Sequence, residues 1–189
     1  MKLWKVLALA AVLGCWTLPA QGAVVMFNLL GRAGTGMLSG NEIHAINGAA
    51  GSGGEVGTGI LFDDVTNTLT LNVGWGSGKG FTDLTGNVTV AHIHGRADIN
   101  SAAGVIFGLD GATPGFNPSA TNGGWTNTTV VLNAAQALDL QSGMLYLNAH
   151  TAANGPGEIR GNMVAVPEPS SAIFLGLGLA GCVGYRRRR

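Results

Sequence analysis

Cysteine is nearly missing from this chain. Only Cys15 and Cys182 occur in 189 residues, and both fall inside apolar terminal segments. The region between them therefore has no thiol, which excludes a disulfide scaffold and any thiolate metal site. Cations are equally scarce there. Between Ala23 and Val166 stand Arg32, Lys79, Arg96 and Arg160, against nine carboxylates (Glu42, Glu55, Asp63, Asp64, Asp83, Asp98, Asp110, Asp139 and Glu158), a net charge of −5. The formal charge of zero for the whole chain hides this, because Lys2, Lys5 and Arg186 to Arg189 lie at the ends. A mildly acidic region with no basic stripe excludes nucleic acid and anionic lipid as its partners. Aromatic residues make up 6%, and no segment carries a long helical period. A phosphate-cradling glycine loop, a nucleophile elbow and a cysteine nucleophile are all lacking as well, so no catalytic residue is assigned.

Glycine is abundant, at 32 residues, and it separates short apolar and β-branched runs. This is the pattern of strands joined by tight turns. The expected strands are Val24 to Leu30, Gly57 to Phe62, Leu69 to Trp75, Asn87 to His94, Val105 to Leu109, Thr128 to Leu132, Met144 to His150 and Glu158 to Val164. Leu69, Leu71 and Val73 alternate with Thr70 and Asn72, as in a sheet with one dry and one wet face. About eight strands without a long helix indicate an all-β fold, an antiparallel sandwich or barrel. Ala134 to Gln141 is expected to form a short helical turn, capped by Asn133 and ending before Gly143. Glycine-rich loops are expected at Gly48 to Gly54, Gly74 to Gly80 and Asn117 to Gly124. Trp75 and Trp125, placed in or beside them, are free either to stack on a sugar ring or to plug the ends of the sandwich.

The ends read as targeting signals. Met1 to Lys5 carries two lysines, Val6 to Leu18 is apolar, and Pro19-Ala20-Gln21-Gly22 supplies small residues, so residues 1–22 are expected to be an export signal. An uncleaved anchor would need an apolar run of roughly 20 residues. Lipidation of Cys15 is a further alternative, with Leu13 and Trp16 as poor flanking residues. At the other end, Pro167, Glu168 and Pro169 precede an apolar segment, residues 172–185, and then four arginines. This order resembles the bacterial Pro-Glu-Pro C-terminal sorting signal, PEP-CTERM, over residues 166–189. The resemblance implies an exosortase-type processing protease as partner. It also implies tethering in the inner membrane through residues 172–185 before processing, then delivery to the cell surface or the extracellular matrix.

Four landmarks lie between these ends: Leu38-Ser39-Gly40-Asn41-Glu42, Ala91-His92-Ile93-His94-Gly95, Leu145-Tyr146-Leu147-Asn148-Ala149-His150-Thr151 and Gly157-Glu158-Ile159-Arg160-Gly161. Together they resemble the CHRD domain, first recognised in chordin and widespread in bacterial secreted proteins, and set a domain over residues 23–165. The resemblance departs from the usual pattern only after Glu42, where Ile43-His44-Ala45 stands in place of a hydrophobic residue and prolines. It implies an immunoglobulin-like or Cu-Zn superoxide dismutase-like Greek-key sandwich, and no settled catalytic activity.

His92 and His94 share one strand face, roughly 7 Å apart at Cα by the strand rise. With His150 they offer three imidazoles, which suit zinc or copper. The alternative is that each ring hydrogen-bonds within the fold. Tyr146, Asn148 and His150 form a polar row on the penultimate strand. Arg160 is expected to form an internal clamp with Glu42 or Glu158, since its planar fork matches a carboxylate. The leading expectation is thus a non-enzymatic exported module without a cofactor, meeting extracellular polysaccharide or a matrix protein. The alternatives are a small envelope metalloprotein holding copper or zinc through His92, His94 and His150, and a protein-interaction module.

Overall fold

The computed structural model describes residues 22–39 and 50–167. The expected export signal, Glu42, Glu168, Pro169 and the apolar segment 172–185 lie outside the described residues. Ten antiparallel strands form one sheet: β1 (Val24–Gly31), β2 (Gly34–Thr35), β3 (Gly53–Asp63), β4 (Thr68–Trp75), β5 (Val88–His94), β6 (Val105–Gly108), β7 (Phe116–Asn117), β8 (Gly123–Val131), β9 (Tyr146–Thr151) and β10 (Asn154–Ala165). Their spatial order is β6-β5-β9-β10-β1-β3-β4-β8-β7, with β2 added to the end of β1. The sheet curls so that its halves face each other as the layers of an antiparallel sandwich. The chain passes between the halves three times: from β4 to β5, from β6 to β7, and from β8 to β9 through the helix α1 (Ala134–Gln141).

Alternation decides which face is dry. Phe27 and Leu29 of β1, Ile60 and Phe62 of β3, Leu69, Leu71 and Val73 of β4, Ala91 and Ile93 of β5, Leu147 and Ala149 of β9 and Ile159 of β10 all point into one core. At about 1.5–3 kcal/mol for each fully buried aliphatic or aromatic side chain, this layer is the main favourable term in folding. The expected short helix is present. Asn133 Oδ1 accepts from the Gln136 amide while Gln136 Oε1 accepts from the Asn133 amide, both at 2.9 Å, a reciprocal cap worth about 1 kcal/mol.

Two loop expectations are corrected. Gly53 and Gly54 begin β3, and Gly123, Gly124 and Trp125 belong to β8. Trp75 and Trp125 are fully buried, edge to face at 5.0 Å between ring centroids, and their indole N–H groups donate to the Ser119 and Leu109 carbonyls, each at 2.8 Å. They plug one end of the sandwich and cannot stack on a sugar. Gly123 is glycine because a Cβ there would collide with the Trp75 indole. These glycines serve packing more than turning, which is why they looked like loops.

Candidate functional site

The other face of β5, β9 and β10 is polar and largely covered. Register places His94 opposite Tyr146 and Tyr146 opposite Asn162, then His92 opposite Asn148 and Asn148 opposite Arg160, with His150 opposite Val90. Tyr146, Asn148, Glu158 and Arg160 are fully buried and Asn162 nearly so. The segment 95–104 lies over this layer and supplies its hydrogen-bond partners.

Arg160 donates from Nη1 to the Ser101 carbonyl at 2.9 Å, and from Nη2 to the Asp98 carbonyl at 2.8 Å and to Asn162 Oδ1 at 3.0 Å. Its guanidinium also lies 3.6 Å from the centre of the Tyr146 ring, on which His94 stacks at 4.8 Å and 5°. A cation, a phenol ring and an imidazole thus stack across three strands. Tyr146 Oη donates to the Ala103 carbonyl and accepts from the Ala103 amide, both at 3.2 Å. The Asp98 carboxyl is held below its usual range, first by the Ser101 hydroxyl and then by the Asn100 amide.

Glu158 does not pair with Arg160. The expected clamp between them is corrected, and its Glu42 version lies outside the described residues. The Glu158 carboxylate instead accepts from the Thr85 amide at 2.7 Å, the Thr85 hydroxyl at 2.7 Å, the Thr151 hydroxyl at 2.6 Å and Asn154 Nδ2 at 2.9 Å. Both residues are anchors, each for a different connection. Glu158 ties the β4–β5 connection and the β9–β10 turn to the sheet, whereas Arg160 ties down segment 95–104. They share a strand face, as expected, but their partners come from opposite ends of it. Thr85 and Asn154 carried no signal in the sequence, since Thr85 is 73 residues away. The spacing of Asp98 and Ser101 is that of a hydroxyl-closed turn and was readable.

The three histidines come together. One ring nitrogen from each of His92, His94 and His150 lies within 4.8 Å of one from each of the others, so a point exists within about 2.8 Å of all three. His94 Nδ1 faces the Ala103 carbonyl at 3.0 Å, and His150 Nδ1 faces the Gly155 carbonyl at 2.8 Å. A carbonyl only accepts, so both rings carry their proton on Nδ1 and their lone pair on Nε2. His92 Nδ1 stands 3.3 Å from His150 Nε2 and donates to it. Burial, then the adjacent His150, pushes the His92 pKa below its ordinary 6.5, and Asp110 opposes them. Backbone carbonyls fixing imidazole tautomers is how metal-ligating histidines are oriented, so the residues present fit zinc or copper.

A family model for the CHRD domain matches residues 36–163. The chain belongs to the CHRD domain family. A second model, the PEP-CTERM protein-sorting motif, matches residues 165–189. No curated protein and no solved structure matches the chain. The CHRD match begins after β1, yet β1 pairs with β10 on one side and β3 on the other. The folded unit of this CHRD protein therefore reaches back at least to Val24. Its polar layer holds the second, third and fourth landmarks of the family in neighbouring strands. The last bond between β1 and the end of the domain, from the Val166 amide to the Met26 carbonyl at 2.9 Å, falls one residue before the Pro-Glu-Pro motif. Among the described residues no helix is long and apolar enough to cross a membrane.

Proposed function

We propose that this protein is a non-enzymatic CHRD module of the bacterial cell envelope or extracellular matrix, delivered there through its PEP-CTERM signal. The observation that carries the non-enzymatic reading is the occupation of Glu158. Four donors engage its carboxylate, one on Oε1 and three on Oε2, and the side chain is fully buried, whereas a general base needs a lone pair facing a substrate. The Arg160 guanidinium is likewise engaged with carbonyls of segment 95–104. The exosortase-type protease is the processing partner, the apolar segment 172–185 tethers the chain in the inner membrane until cleavage, and matrix polysaccharide or protein is the final neighbour.

A protein-interaction role is the second reading. It is favoured by Val24, Met26 and Leu30 of β1 and Val164 of β10, exposed apolar side chains on one sheet face. Singly such residues are ordinary, but a contiguous group marks a contact surface.

The delivery route is tested by following the full chain in a host with an active exosortase system. The wild-type chain is expected as a shortened form in envelope or medium. Pro167→Ala with Pro169→Ala is expected to stay full length in the inner-membrane fraction. Equal processing of both chains, or recovery of the wild type in the cytoplasm, refutes the route.

A further inference from the structure

The cluster at the open end of the polar layer has features that a merely structural set of histidines does not need. His94 Nδ1 faces the Ala103 carbonyl and His150 Nδ1 the Gly155 carbonyl, which fixes both rings, and one nitrogen of each histidine lies within 4.8 Å of the others. The separation of His92 Nδ1 from His150 Nε2, 3.3 Å, is that of two ligands on a tetrahedral ion with bonds of about 2.0–2.1 Å. The rings are mutually inclined, His92 to His94 at 84° and His92 to His150 at 73°, so their nitrogens approach a common point from different directions. His92 and His150 stand at the half-exposed rim, whereas His94 is buried at the floor, stacked on Tyr146. The floor is thus rigid and the rim open to solvent.

A fourth group stands beside them. Gly108 of β6 pairs with His92, and Asp110 follows it after one residue. The Leu109 amide donates to the Ala91 carbonyl at 2.7 Å, which carries the pairing past the end of β6. Leu109 is buried on the core face, and Asp110 accordingly falls on the histidine face. Its Oδ1 lies 3.9 Å from the place a Cβ on Gly108 would occupy, so the carboxylate lies near the side-chain-free glycine that pairs with His92.

We propose that His92, His94 and His150 form a binding site for a divalent transition-metal ion, Zn²⁺ or Cu²⁺, with the nearby Asp110 carboxylate as its charge partner and solvent at the open position. Three neutral imidazoles with a carboxylate nearby, without thiolate or thioether, select these ions over the soft Cu⁺ and over the all-oxygen ligation of Ca²⁺ and Mg²⁺. The ion takes the place of the proton between His92 Nδ1 and His150 Nε2. His92 stays neutral by carrying its proton on Nε2. Closing the cluster onto the ion requires each nitrogen to move inward by no more than about 0.7 Å, within reach of small ring rotations at the rim.

The test uses the full chain, purified in mild detergent with a tag that contains no histidine, stripped by chelator and titrated with Zn²⁺, with Cu²⁺ and with Co²⁺ as an optical probe. One equivalent is expected to bind with an apparent Kd below about 1 µM, and Co²⁺ to give the visible bands of a four-coordinate ion. His92→Ala and His150→Gln, both at the rim, are each expected to weaken binding at least ~100-fold with unchanged circular dichroism. Asp110→Asn is expected to weaken it ~10-fold at unchanged stoichiometry. Absence of saturable one-equivalent binding overturns the site, and so does binding that both histidine variants retain. Unchanged affinity in Asp110→Asn removes the carboxylate from it. The readout is on purified chain, so it stands or falls apart from the delivery route.

Discussion

Replacing Glu158 by Gln separates an anchor from a catalyst. The wild-type carboxylate accepts four hydrogen bonds, all from neutral donors, and bonds to a charged group contribute about 1.5–3 kcal/mol each. Burying the charge offsets much of that sum. In Glu158→Gln one oxygen still accepts from the Thr85 amide, and the Thr151 and Thr85 hydroxyls can rotate to accept from the new NH2. Asn154 Nδ2 then meets donors where it had an acceptor. One lost acceptor and three weakened bonds put the destabilisation at about 2–3 kcal/mol, and Glu158→Ala, which removes the acceptor of the Thr85 amide and leaves the Thr85 and Thr151 hydroxyls and Asn154 Nδ2 only one another, at about 4 kcal/mol. Urea denaturation of the full chain followed by tryptophan fluorescence measures both, since the buried Trp75 and Trp125 report on the core. A residue kept for chemistry behaves in the opposite way, because its removal relieves strain or repulsion and leaves stability equal or higher. Glu158→Gln within 0.5 kcal/mol of wild type, or more stable, would refute the anchor role and with it the main support for a non-enzymatic module.

Two further outcomes follow from the polar layer. Arg160→Lys keeps the charge but cannot span the Asp98 and Ser101 carbonyls together or lie flat on Tyr146; a loss of about 2 kcal/mol is expected, with faster limited proteolysis within residues 95–104, and protease resistance equal to wild type would contradict it. Because the His92 pKa is lowered in the fold, the chain takes up a proton there on unfolding. Its contribution to stability is therefore full above pH 6.5 and is lost as pH falls through the lower folded value. The urea midpoint should drop between pH 7.5 and pH 5, and drop less in His92→Gln. An identical fall in both chains would assign it elsewhere.

How much was legible depended on whether a residue's partner lay near in sequence or in pattern. The alternation of Leu69, Leu71 and Val73 fixed a dry face without any knowledge of what covered it, and Asn133 alone marked the start of a helical turn. His92 and His94 were readable as a pair because a strand repeats every two residues. Their junction with His150 depends on β5 and β9 being neighbours, which no local pattern in the sequence shows. The failures share one cause. Gly53, Gly123 and Gly124 looked like turn residues, but strand glycines are also what remains when an indole or another backbone occupies the side-chain position. Glu158 and Arg160 looked like each other's partners because they stand two apart, whereas their bonds run to Thr85 and to segment 95–104. Asp110 read only as one of nine carboxylates, and its place near His92 depends on the β5–β6 register. The two-residue strands β2 and β7 are too short to leave any pattern.

The pairing of β1 with β10 has a consequence for a chain that crosses a membrane as an extended thread. Phe27 aligns with Ala165, so the first strand to emerge waits in the middle of the sheet for the last. Until then the two halves lack the strand that joins them. Pairings this distant are entered late, since a long loop must be closed before any contact rewards it. Completion of this pairing then sets the Val166 amide on Met26 and leaves the chain to exit the sheet at Pro167. Folding is in this sense a timer whose last tick positions the start of the sorting motif.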